Sequence, residues 1–530
     1  MIFAKNAIAP IAVVGLFVAA VVIAQHYLRG RLYYSNVVIT TQDQLSLEFL
    51  NEGVSKGEDC QAAAAMIADT IRASCPTCSV TRQQCHGELQ GSQQKLLSEE
   101  PLEVPSSRLP HGVVAYVSGN TGAALAACRE TERLTGSRQG FLAICYPPNT
   151  RRPLSIRPES AQPINALQVT VGSIVLVLTG LIAAFTCFLI VRYEAVHLSW
   201  SFDPVEAGPQ KFHATPTPRI GGLGLMAALL VSGAALLAAE QGGYSDLFGY
   251  LVFASLPAFL GGITEDVVKN VGVTTRLVLT MLSAALGVWL LGAVIPRLDV
   301  PGMDTLMTWT PFAIAFTIFA VGGVANAVNI IDGYNGLAAG HAVIVLAAMA
   351  YVSSLVGDVF LLTASLAMTG ALLGFLAWNY PKGKIFLGDG GAYLLGFWLA
   401  ELSVLLVGRH PEVSPWFPML LLVYPIFETI FSMYRRKVLR GVSPGQPDRL
   451  HMHQVIYMRL TRTALPASDP ESITKLNNQV APFGWLMTLC SAVPAIVFWK
   501  ETRWLVAASA VFCLGYLLLY QQFVKPKGPL

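Results

Sequence analysis

Five short clusters hold most of the residues able to do chemistry: Lys211–Gly222, Glu265–Arg276, Asn326–Gly336, Asn379–Gly391 and Arg435–Arg459. In the first, Lys211, His213 and Arg219 place cations on flexible backbone ahead of Gly221-Gly222. Such a set suits phosphate or diphosphate groups, although a plain basic juxtamembrane loop has the same composition. In the second, Glu265 and Asp266 are adjacent at the end of an apolar run. Paired carboxylates there are costly unless hydrated, ion-paired or metal-bound. Lys269, three residues on, is within helical reach of them. In the third, Asn326, Asn329 and Asp332 recur every three residues. On a helix they share an arc of about 120°, a polar stripe able to face a cavity. Gly333 and Gly336 then permit a tight turn around Asn335. In the fourth, Lys384 and Phe386 precede Gly388-Asp389-Gly390-Gly391. A carboxylate in such a turn is placed for Mg²⁺, which takes one or two carboxylates plus substrate phosphates. The same Asp could instead cap the following helix. Lys384 would face a diphosphate, and Phe386 would stack on a base or pack against lipid. The fifth runs from Glu428 through Arg435-Arg436 to Asp448-Arg449-Leu450-His451-Met452-His453. His451 and His453 could hold a transition metal, but there is no cysteine or third histidine nearby. With Arg449 adjacent, phosphate recognition fits better.

The elements that must bring these clusters together are apolar. With 54% hydrophobic and 13% charged residues, the 530-residue chain is too apolar for a soluble globule. Segments long enough to cross a bilayer are read at 165–191, 220–239, 247–263, 276–295, 311–330, 337–356, 359–377, 391–407, 416–433, 482–499 and 504–523, eleven in all, with a twelfth at 7–24. The clusters occupy every second loop, so a chain crossing at each segment gathers all five on one face. Lys and Arg number 17 on that face, against four in the short loops opposite: Arg297, Arg409, Lys500 and Arg503. The net charge of +3 is less informative than this distribution. The positive-inside bias makes the cluster face cytoplasmic. Topology alone does not call for the Asn, Asp and His that accompany these cations.

The expected organisation is therefore a membrane anchor at 1–26, an extracytoplasmic α+β domain at 27–163 and a polytopic domain at 164–530. In fold class this is an all-α polytopic membrane protein carrying one small α+β domain. The anchor reads as uncleaved, because Gln25-His26-Tyr27 is a poor cleavage site. Arg29 and Arg31 directly behind it argue locally against an N-in orientation, an exception that long translocated domains tolerate. Within 27–163 we expect helices over Cys60–Ala73 and Thr121–Leu134, and strands over Ser79–Cys85, Gly112–Ser118 and Phe141–Tyr146. Six of the nine cysteines fall here: Cys60, Cys75, Cys78, Cys85, Cys128 and Cys145. Outside the cytoplasm they point to disulfides. A redox pair at Cys75 and Cys78, or a metal site adding Cys85 and His86, are the alternatives. Cys187, Cys490 and Cys513 lie in spans as small core residues.

In this order, TPRIGG (217–222), NAVNIIDGYNGLAAG (326–340), FLGDGGAYLLG (386–396) and DRLHMH (448–453) resemble the polyprenyl-phosphate N-acetylhexosamine-1-phosphate transferases. These form the WecA/MraY superfamily, or glycosyltransferase family 4, and the resemblance covers roughly 165–525. It implies transfer of an N-acetylhexosamine-1-phosphate from a UDP-sugar to polyprenyl phosphate, with UMP released. The implied setting is a bacterial inner membrane, at the start of a cell-envelope glycan of O-antigen or lipopolysaccharide type. The implied cofactor is Mg²⁺, or Mn²⁺ in its place. The implied partners are the two substrates and the bilayer, with no nucleic acid and with a homodimer as a candidate assembly. The resemblance carries over Asp389 as metal ligand, Glu265 and Asp266 as the acidic pair, Asp332 as the first Asp of the nucleotide-side motif, and His451 and His453 as the histidine motif. Three positions depart from the pattern: Glu265 replaces an Asp, Asn335 an Asp and Gln454 a His. The insert at 27–163 is not part of the usual pattern.

Other classes fit less well. A transporter or lipid flippase places ionisable groups near the bilayer midplane, whereas these clusters lie at span ends. An intramembrane prenyltransferase needs further carboxylates around Asp332. An inactive scaffold would need the three departures to abolish the chemistry.

Overall fold

In the computed structural model of the chain, the described residues are 34–40, 46–51, 60–61, 64–65, 68, 79–86, 106–109, 113–118, 144–146, 166–203, 216–239, 243–441, 448, 450–463 and 470–524. They fall into two compact units, one within Val22–Gln162 and one within Pro163–Leu530.

The first unit is built on a six-stranded antiparallel sheet of order β3-β1-β2-β5-β4-β6. Its strands are β1 Tyr34–Thr40, β2 Ser46–Asn51, β3 Ser79–His86, β4 Ser106–Leu109, β5 Val113–Ser118 and β6 Ile144–Tyr146. β3, β5 and β6 fall on the expected strands. β1, β2 and β4 were not expected, although the β-branched run Val37-Val38-Ile39-Thr40 suits a strand. Helical residues Cys60, Ala64 and Ala68 recur every four positions and are buried on one face. Cys60 is disulfide-bonded to Cys85 of β3, which removes Cys85 from any metal set. Cys75, Cys78, Cys128 and the expected helix at Thr121–Leu134 lie outside the described residues, as does the side chain of Cys145.

The second unit is helical. Its helices are α1 Ala166–Arg192, α2 Glu194–Ser201, α3 Gly222–Ala238, α4 Gly243–Val268, α5 Val273–Leu291, α6 Met303–Met307, α7 Thr310–Ile331 and α8 Leu337–Val356. There follow α9 Val359–Asn379, α10 Gly388–Arg409, α11 Trp416–Leu421, α12 Val423–Tyr434, α13 Met452–Thr463, α14 Pro470–Asn478, α15 Val480–Val497 and α16 Thr502–Val524. Among the described residues nine helices are long and apolar enough to cross a membrane. The protein is a polytopic membrane protein. Of the two other expected core spans, 220–239 is the shorter helix α3, and 416–433 breaks at Leu422 between α11 and α12. The second piece runs on into a π-helical turn, Arg435–Leu439. The expected span at 7–24 lies outside the described residues.

α10 is the axis of this unit. Its most apolar stretch is 100% buried, against 22% for α1, α5 and α16. The peripheral helices leave Leu181, Phe185, Trp289 and Val511 bare, as lipid-facing side chains would be. α1 and α9 cross closely through small residues. A Cβ on Gly370 would stand 2.1 Å from the Leu176 carbonyl oxygen, and one on Gly374 would stand 2.2 Å from that of Gly180.

Candidate active site

The N-terminus of α10 is where the clusters meet. Its entry turn is knitted to the Thr217–Gly222 string by backbone. Phe386 N–H donates to Pro218, Gly221 N–H to Phe386 and Gly222 N–H to Leu387, at 2.8 to 2.9 Å. Gly388 has φ +73°, and a Cβ there would lie 1.8 Å from the Arg219 carbonyl oxygen and 2.5 Å from Asp266 Oδ2. Only glycine fits such an approach. A Cβ on Gly222 would likewise meet Gly391, and one on Gly262 would meet Asp389. The glycines of this turn therefore serve packing of three chain segments.

Asp266 is fully buried and accepts the N–H groups of Asp389 (2.9 Å) and Gly390 (2.8 Å). It thus satisfies the orphan donors at the start of α10. The capping role considered for Asp389 belongs to Asp266. Glu265 accepts Val271 N–H at 2.6 Å, so the two acidic side chains have different hydrogen-bond partners. Lys269 does not reach either carboxylate; its Nζ donates to the Phe202 carbonyl at 2.6 Å. The cation at Asp266 is Arg219, whose Nη2 lies 3.5 Å from both Asp266 Oδ1 and Asp389 Oδ1.

Asp389 itself is held from three sides. Asn329 Nδ2 donates to Oδ1 at 3.2 Å, Arg219 approaches the same oxygen, and Arg276 forms an ion pair with Oδ2. Arg276 was visible in the second cluster but was not assigned to the site. Its guanidinium also lies over the Tyr393 ring, whose hydroxyl donates to Asn326 at 3.3 Å. Asn326 thus belongs to a supporting contact, while Asn329 touches the central carboxylate.

A cavity of about 330 Å³ opens beside Asp389. Arg219, Asn329, Asp332 and Asp389 share its wall with Phe386, Asn335, His451 and His453. Burial pushes the Asp332 carboxyl up to about 7, against the pull of Arg219. Asn335 is woven into the frame: its N–H donates to Asn477 and its Nδ2 to Asn478, both at 2.9 Å. Asn379 accepts Gly336 N–H at 2.6 Å and donates to Ile385 at 2.7 Å. Asn379 opens the fourth cluster but had no role assigned, and Asn477 and Asn478 were missed, since amides near helix ends give little sequence signal. Asn335 Oδ1 and His453 Nδ1 are buried without a hydrogen-bond partner. Lys384 is elsewhere, exposed, with its Nζ 5.6 Å from the centre of the Trp378 ring. Lys211, His213 and Arg449 lie outside the described residues.

The histidines stack, with ring centroids 5.4 Å apart. Burial first, then the neighbouring His451, pushes His453 down to about 3, so this ring is neutral. Near them, burial works to raise Asp448, but Arg435, His451, Ser432 and Leu450 N–H together hold it below the ordinary carboxylate range. Gln454 accepts His451 N–H at 3.2 Å, so this departure serves as a local cap.

The arrangement offers the Arg219 guanidinium, several amides and the carboxylates of Asp332 and Asp389 around one polar cavity at the ends of membrane helices, with Arg276 paired to Asp389. Comparison with known proteins agrees with the resemblance. The model of glycosyl transferase family 4 matches residues 248–407. A probable undecaprenyl-phosphate N-acetylglucosaminyl 1-phosphate transferase of Bacillus subtilis is 28% identical over 365 residues, 68% of this chain and 91% of the relative. The undecaprenyl-phosphate alpha-N-acetylglucosaminyl 1-phosphate transferase of Thermotoga maritima is 30% identical over 251 residues, 47% of this chain and 72% of the relative. A phospho-N-acetylmuramoyl-pentapeptide-transferase of Oceanobacillus iheyensis is 32% identical over 215 residues, 38% of this chain and 65% of the relative. On this evidence the chain belongs to glycosyl transferase family 4.

Proposed function

We propose that the protein transfers an N-acetylhexosamine-1-phosphate from a UDP-sugar to a polyprenyl phosphate, releasing UMP. The observation that carries this reading is the meeting of Arg219, Asn329 and Asp389 on the wall of a cavity that also takes in Asp332 and His451, with Arg276 ion-paired to Asp389. The names of the relatives, which act on undecaprenyl phosphate, support it. In the reaction an oxygen of the acceptor phosphate forms a bond to the β-phosphorus of the donor. The bond from that phosphorus to the bridging oxygen breaks, and UMP leaves with the electron pair. Such a step needs positioning and charge neutralisation more than covalent help from the protein. Arg219 and Arg276 supply fixed positive charge to the phosphates. Asp332, titrating near 7, can hold or give up a proton beside them.

A hard cation fits the donor set. Mg²⁺ is typically bound by one or two carboxylates together with substrate phosphates. Asp389, with the Asn329 amide beside it, offers such oxygens at the cavity wall. Mg²⁺ or Mn²⁺ there would offset phosphate charge and would compete with Arg276 for Oδ2. The proposed setting is the cytoplasmic face of a bacterial inner membrane, at the start of a cell-envelope glycan of O-antigen or lipopolysaccharide type. The test is to incubate the purified full chain with UDP-GlcNAc, UDP-GalNAc or their deoxy relatives, with and without undecaprenyl phosphate. UMP and a lipid-linked sugar are expected only when both substrates are present. Failure of every donor to yield either product overturns the proposal.

A further inference from the structure

The histidine motif does not hold itself in place. Glu428, fully buried on α12, faces it with both oxygens. Its Oε1 lies 2.9 Å from His451 Nδ1. Its Oε2 accepts Met452 N–H at 3.0 Å and is also hydrogen-bonded by the Tyr516 hydroxyl. One carboxyl therefore binds a ring nitrogen, the backbone of the next residue and a helix α16 side chain. Other charged and titratable groups around the ring are Asp448, whose Oδ2 is 3.9 Å from His451 Nε2, and the stacked His453. Asp448 is in turn held by Arg435 and by Ser432.

We propose that Glu428 is the positioning residue of His451, fixing a proton on Nδ1 so that Nε2 is the nitrogen presented to the phosphates. This deepens the transferase reading and rests on it for the identity of the phosphates. The physical basis is a mismatch of donors and acceptors. An ionised carboxylate offers only acceptors. Met452 N–H can only donate, and the ring nitrogen opposite the other oxygen must then donate as well. A carboxylate in this position fixes the tautomer of an imidazole and its orientation.

Glu428→Gln keeps the size but offers one acceptor and one donor end. With its amide NH₂ toward the ring, Nδ1 must accept and the proton moves to Nε2. With the NH₂ toward Met452, it opposes an obligate donor. We expect kcat for UMP release by the detergent-purified full chain to fall about 100-fold or more, as for a tautomer-setting carboxylate elsewhere. KM for the UDP-sugar should stay within about threefold, because binding contacts remain. Wild-type kcat in folded Glu428→Gln protein overturns the proposal.

A second measurement needs neither turnover nor that variant. In ¹⁵N-histidine-labelled wild-type protein, solid-state NMR, with the His451→Gln spectrum subtracted, reads which nitrogen of His451 carries hydrogen. A protonated Nδ1 is expected. A bare Nδ1, accepting from a protonated Glu428, overturns the proposal. If the wild type releases no UMP while Nδ1 is protonated, the transferase reading fails and the positioning stands.

Discussion

Asp389 concentrates the argument at the scale of single residues. Its two oxygens receive Asn329, Arg219 and Arg276, while its own N–H is satisfied by Asp266. Asp389→Asn keeps size and the helix cap but removes the charge that these guanidiniums answer. We predict folded protein with transfer reduced about 100-fold or more, the usual scale for losing a preorganised electrostatic partner. Any residual activity should need more Mg²⁺, read as rate against metal concentration. Asp332 gives the pH dependence. Raised from 3.8 to about 7, it stays neutral in acid, so if its carboxylate works, the rate rises with pH through about 7. Asp332→Asn should flatten that limb of the pH–rate profile. For stability the sign is reversed: a raised carboxyl favours the fold fully below its unfolded value and loses that contribution as pH rises through about 7. The sequence made the charged members of the site legible because Asp, Arg and His in apolar surroundings are conspicuous. It could not show how they pair. Glu265 and Asp266 are neighbours in the chain, yet one serves a local turn and the other caps a helix. Lys269 and Lys384 were plausible from spacing, but Lys269 finds its carbonyl partner on a distant segment and Lys384 lies by the Trp378 ring at the end of α9, just before it in the chain.

At the scale of elements, hydropathy located the spans because each is apolar on every side. It missed the break at Leu422, where α11 and α12 meet without any change in composition. That break, and the π-helical turn after α12, precede Asp448 and His451 along the chain, and α12 itself supplies Glu428. Helix contacts were not legible either, since glycine is common in apolar spans. They are decided by what a side chain would strike. Gly374 on α9 has the Gly180 carbonyl of α1 in the space of a Cβ, whereas Gly323 on α7 has nothing within 4 Å. Gly374→Ala must push α1 and α9 apart, an overpacking that typically costs about 1–3 kcal/mol. Gly323→Ala should be neutral or slightly stabilising, because alanine favours helix over glycine by up to ~1 kcal/mol. Thermal denaturation in one detergent should lower the midpoint for the first variant only. Equal midpoints would mean that the α1–α9 crossing is not as close as described.

Topology is the question that belongs to the whole molecule. One odd-numbered crossing, α1, separates the Val22–Gln162 unit from the Thr217–Gly222 string in sequence. If the cation-rich loops face the cytoplasm, that unit lies outside it, where disulfides persist. The Cys60–Cys85 bond is consistent with this placement, and it ties a helical segment to β3 of the sheet. Cys187, by contrast, is buried in α1 as a free thiol. The two assignments can be tested together in intact cells. A membrane-impermeant thiol reagent, with modified sites located by mass spectrometry, should reach Cys60 and Cys85 only after an impermeant reductant has been added. Labelling of either without reductant would deny the disulfide. Labelling of both only after the membrane is broken would put the unit on the cytoplasmic side, and with it would invert the face assigned to Asp389 and His451.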